Sequence, residues 1–186
     1  MSKFKITARA ADIGKLNIRP EHHGDKIEPA MDIPVKVRGT KRDLDMLIPV
    51  QDGKFSEMAY TLDGACLVPH ISPLHVNRKP DNLKVTIWDS PTKKTQKLEF
   101  SEAKVKNIVV ELGAKHKLEI MFTLQVNIDT ERDAARLVRC MGESREIEIT
   151  ATQDDLFDYD DQDEGQDAEG EQADIDDDQD DEGDDE

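Results

Sequence analysis

Phe4, Ile6 and Ala8 alternate with Lys3, Lys5, Thr7 and Arg9, which predicts a half-buried strand with a basic outer face. Residues 14–29 read as loop, with the cluster Arg19-Pro20-Glu21-His22-His23-Gly24-Asp25. Met31, Ile33, Val35 and Val37 then alternate with Asp32, Pro34, Lys36 and Arg38. Proline lacks the ladder donor, so Pro34 predicts an edge strand or a bulge there. Thr40-Lys41-Arg42-Asp43 has the form of a capping box and opens a short helical turn before Pro49. Residues 54–60, 65–68 and 95–100 are further strand candidates. Leu83, Val85 and Ile87 form one apolar face, with Lys84, Thr86 and Trp88 on the other.

Residues 103–112 and 116–128 flank Gly113-Ala114-Lys115, which reads as a hairpin turn. The second run alternates throughout, from Leu118 and Ile120 to Val126 and Ile128. A helix follows over about residues 130–141. Thr130 caps it, Asp133 stands three residues on, and Ala134, Leu137, Val138 and Met141 make its apolar stripe. Gly142 stops it, and 146–150 is the last strand. The fold class is therefore mainly β with one C-terminal helix. Both a small OB-like barrel and a β-sandwich fit this pattern.

Charge divides the 186-residue chain in two. Residues 1–150 hold all 25 Lys and Arg against 22 Asp and Glu, a net of +3, whereas 151–186 hold 20 acidic residues and no basic ones. The first part is long enough to bury a core, and is expected to be the β-rich binding domain. The second has little to bury and repels itself, so it is expected to be a disordered acidic tail. Cys66 and Cys140 form no C-x-x-C, so neither zinc nor a redox pair is signalled. No apolar run approaches membrane-spanning length and no signal core follows Met1, so a cytoplasmic protein without membrane contact is expected.

Several groups of residues carry candidate chemistry. Trp88, the only tryptophan, stands beside Lys84, and Lys93, Lys94, Lys97, Lys104 and Lys106 follow. Rings among cations suit single-stranded DNA, with π-faces for bases and ammonium groups for phosphates. The alternative for Trp88 is a ring covering the far side of the sheet. Arg132, Arg136 and Arg139 line the polar side of the predicted helix and can also meet phosphates. Pro80-Asp81 and Glu102-Ala103-Lys104 resemble the P-D…[DE]-x-K nuclease pattern, but the flanking helices of that fold are missing. Adjacent His22 and His23 point apart in an extended chain and suit a solvated loop better than a metal. No catalytic triad or glycine-rich phosphate loop stands out, so a non-enzyme without cofactor or metal is expected.

Gln153-Asp154-Asp155-Leu156-Phe157 resembles the short peptide with which many bacterial replication and repair proteins bind the sliding clamp. That resemblance implies that Gln153, Leu156 and Phe157 contact such a partner. The domain-plus-acidic-tail plan resembles the single-stranded DNA-binding proteins of phages and bacteria. It implies an accessory protein of DNA replication or recombination, whose tail competes with DNA and recruits partners. A homo-oligomer is compatible with it. The plan is also similar to that of nucleoplasmin-like histone chaperones, β-sandwiches whose acidic tails shield basic proteins.

Overall fold

The computed structural model describes residues 4–23, 26–90, 96–128 and 130–151, with backbone alone at 22–23 and 26–28. Among these residues eight strands form one antiparallel sheet: β1 (Ile6–Ile13), β2 (Asn17–His23), β3 (Lys26–Arg38), β4 (Leu74–Val76), β5 (Leu83–Trp88), β6 (Lys97–Leu112), β7 (Leu118–Asn127) and β8 (Ser144–Ala151). Six follow each other in the order β1-β8-β5-β6-β7-β3. The pairing of Ala11, Asp12 and Ile13 with Val37, Lys36 and Val35 brings β3 back to β1. The sheet is thus a closed six-stranded barrel, and the sandwich alternative falls. β2 extends the sheet from β3, and β4 pairs with β6.

Alternation fills the barrel. Ile33, Val85, Ile87, Val105, Leu124 and Ile147 are among the inward side chains fully removed from water, each worth about 1.5–3 kcal/mol of transfer free energy. Among the described residues three α-helices accompany the sheet: α1 (Lys41–Leu47), α2 (Phe55–Ala59) and α3 (Glu131–Cys140). α1 adds Leu44 and Leu47 to the same core, and α3 adds Leu137 and Cys140. No described helix is long and apolar enough to cross a membrane.

Four local readings change. The expected loop 14–29 is mostly the hairpin of β2 and β3. Pro20 lies opposite Pro29 in its ladder, and the Pro29 carbonyl turns away from β2 to accept from Ile128 N at 3.1 Å. The two prolines therefore sit at a position where β2 and β3 exchange no hydrogen bond, so their missing donors cost the hairpin nothing. Pro34 lies on an interior strand, not an edge. Its carbonyl accepts from Gly14 N at 2.8 Å, on the side where β3 passes from β2 to β1, so its missing donor faces a seam.

Residues 55–59 are helix α2, with Ser56 N and Oγ donating to Asp45 at 2.7 and 2.9 Å. Candidates 95–100 and 103–112 join into one strand, β6. It is bent by bulges at Glu102 (φ 57°) and Asn107 (φ 53°), where its registers with β5 and β7 shift.

Candidate nucleic-acid interface

Thr130 caps α3 as expected, accepting from Asp133 N at 3.1 Å. The buried face differs from the predicted stripe. Leu137 and Cys140 are buried, whereas Val138 and Met141 are 47% and 42% exposed. Arg136 sets the helix beside the β5–β6 hairpin. Its Nε donates to Asp89 Oδ2 at 2.8 Å and its Nη2 to the Lys97 carbonyl at 3.1 Å. Asp89 holds the guanidinium charged more firmly still, raising a pKa that is already high. Arg136 is therefore committed to an internal contact rather than offered to a ligand.

The same latch gathers other candidates. Trp88 lies across the strand pair from Lys97 and is half-buried. Arg132 and Arg139 are exposed on α3, seven residues or about 10 Å apart along one side. Asp89 N donates to Gln96 O at 3.2 Å, closing the hairpin around residues 90–95. Lys93 and Lys94 belong to that connection and lie outside the described residues. Arg136 thus ties the helix that carries Arg132 and Arg139 to the strand pair that carries Trp88 and Lys97.

Lys84, Lys104 and Lys106 belong elsewhere. Lys84 is exposed at the start of β5, opposite Thr150. Between it and Trp88, Thr86 is flanked by Glu148 of β8 and Glu99 of β6. Carboxylates therefore interrupt the basic face, and Glu99 also pairs with Lys97 at 3.0 Å. Past the Glu102 bulge, Lys104 and Lys106 stand across from Gln125 and Thr123 of β7. The single basic surface expected from the sequence is two separate ones.

Asp81 and Glu102 are exposed, as is Lys104. The Pro80 carbonyl accepts from Val105 N at 2.8 Å, so Pro80-Asp81 runs beside β6. Among the described residues no group of three or more His, Cys, Asp or Glu is placed to hold a metal ion. A cleft of about 590 Å³ is lined by Arg38, Ser72, Glu111, Lys117 and Glu119, and by none of the candidates. Gln153, Leu156 and Phe157 lie outside the described residues.

No protein-family model, curated protein or solved structure matches this chain. The remaining guide is the arrangement of its own residues. Sequence reasoning missed Asp89, which orients Arg136, and the cluster of Arg19, Glu21, Asp32 and Gln125 around Lys104. Arg19 Nε donates to Asp32 at 3.1 Å, and Gln125 Nε2 donates to both oxygens of Glu21 at 2.9 and 2.8 Å. An Arg-x-Glu alternation was the available signal, hidden by the prolines and histidines around it.

Proposed function

We propose that this chain is a non-catalytic single-stranded DNA-binding accessory protein of DNA replication or recombination. The observation that carries the reading is that Arg136 ties α3, with its exposed Arg132 and Arg139, to the Trp88–Lys97 strand pair of a small closed barrel. Exposed guanidinium and ammonium groups meet phosphates, and the half-buried Trp88 ring offers a base a stacking partner. The acidic segment 151–186 acts as a tethered competitor for the same surface and as a lure for partners, with 153–157 as the clamp-binding peptide.

A specific feature favours a second reading. The 20 acids of 151–186 far exceed the +3 of residues 1–150, so most of that charge is left for something outside the chain. In this reading the acidic segment shields basic proteins, as a histone chaperone does.

Titrating fluorescent single-stranded DNA with the full chain and with a form ending at Thr152 separates the two. β8 ends at Ala151, and among the described residues the buried core side chains all precede it, so the shorter form keeps that core. Tighter binding by the shorter form, with a steep loss as salt rises, is expected. If neither form binds at low salt, the DNA reading fails and basic proteins become the ligands to test. Trp88→Ala binding as tightly as the parent would remove the stacking role.

A further inference from the structure

Glu21 is held as a bound anion is held. Gln125 Nε2 donates to both of its oxygens at 2.9 and 2.8 Å. Arg19 Nη2 and Lys104 Nζ each stand 3.7 Å from it. Gln125 is 97% removed from solvent, as its 3% exposure records, although it points away from the barrel interior. Its Oε1 and Arg19 Nη2 are both buried without a hydrogen bond. The unmet Arg19 donor carries a desolvation cost that a better-fitting anion would relieve. Asp32 fixes Arg19 through Nε at 3.1 Å, so the guanidinium stays aimed whether or not Glu21 is there.

We infer that Arg19, Lys104 and Gln125 form a phosphate-binding cradle that Glu21 fills at rest, and that a backbone phosphate of single-stranded DNA displaces it. The inference rests on the DNA-binding reading and adds a second contact to it, on the β6–β7 face. A phosphodiester carries one negative charge and two unbridged oxygens, as a carboxylate does. The exchange therefore keeps the cradle's charge balance and its paired acceptors. It needs little motion. The last ladder pair between β3 and β7 is Ala30 with Asn127, so Glu21 lies on the part of the hairpin that overruns β7.

The test uses the full chain, Glu21→Gln, and Glu21→Gln combined with Lys104→Gln. Glutamine at 21 can still accept from Gln125, so the hairpin keeps its contact while the resident charge goes. Glu21→Gln is expected to bind a fluorescent oligothymidylate about three- to tenfold more tightly. Its log–log salt dependence should steepen by about 0.7, one further phosphate contact on a single strand. The added Lys104→Gln should cancel both gains. Inorganic phosphate should move the Gln125 side-chain amide resonance in Glu21→Gln and less in the parent. If the parent binds DNA and Glu21→Gln matches it in affinity and slope, the cradle is wrong and the DNA reading stands. If no form binds DNA, that reading falls, and an unmoved Gln125 resonance under phosphate overturns the cradle as well.

Discussion

The guanidinium Nη1 of Arg9 stands 2.6 Å from Asp43 Oδ2, tying the first barrel strand to the first turn of α1. The same oxygen accepts from Thr40 N at 2.7 Å and Thr40 Oγ1 at 2.8 Å, completing a capping box. Asp43 is 5% exposed. Asp43→Asn leaves Arg9 facing an amide in a dry setting and weakens the cap. A loss of about 3 kcal/mol in urea unfolding is expected. A loss below about 1 kcal/mol would mean that solvent screens the pair.

That capping box was legible in Thr40-Lys41-Arg42-Asp43, because a cap is a local contact between neighbours in sequence. The partner Arg9 was not, being 34 residues away. The same division holds elsewhere. Leu118 to Val126 alternate so regularly that β7 could be read directly. Barrel closure rests on β1 meeting β3 at three residue pairs, which periodicity does not encode. The β2–β3 hairpin was read as loop because its prolines are breakers in general and harmless only in this register. The Arg136 cluster was half legible. Its basic residues could be named, but their division into two surfaces depends on Glu99, Glu148 and the Glu102 bulge.

Releasing α3 is a second test. Arg136→Ala removes the donors to Asp89 Oδ2 and the Lys97 carbonyl, and leaves the Asp89 carboxylate unpaired beside the hairpin. Hydrogen bonds to charged groups contribute about 1.5–3 kcal/mol, and a loss in that range is expected. Hydrogen exchange should rise first in α3 and around Asp89 and Gln96. Unchanged protection there would show that Leu137 and Cys140 alone seat the helix.

Gly64 tests the anchoring of the segment before β4. Its φ of +86° is one that side chains rarely adopt, and an added Cβ would fall 2.6 Å from His116 Nδ1. His116 N donates to the Gly64 carbonyl at 3.4 Å, so the two backbones cannot easily part. Gly64→Ala should therefore cost about 1–3 kcal/mol through strain and crowding together. Thermal unfolding measures this, and an unchanged midpoint would mean that His116 turns aside and that the backbone at 64 relaxes from its positive φ.

Tyr60 predicts how the fold responds to alkali. Burial pushes its hydroxyl above the ordinary value of 10.0, with Cys66 adding to the effect. The hydroxyl donates to the Lys117 carbonyl at 2.9 Å, and the ring tilts against His116 with centroids 5.2 Å apart. The folded chain thus holds the phenolic proton more tightly than the unfolded chain does. Its contribution is full below about pH 10 and is lost as pH rises through the folded value. Urea unfolding from pH 8 to 11 should show the parent losing stability above pH 10 more steeply than Tyr60→Phe, which has no proton to lose. At neutral pH the variant should be weaker only by the hydrogen bond to Lys117, about 1 kcal/mol. Parallel pH profiles for the two proteins would mean that the Tyr60 hydroxyl meets water in the folded chain, and that the segment carrying it opens away from the β6–β7 turn.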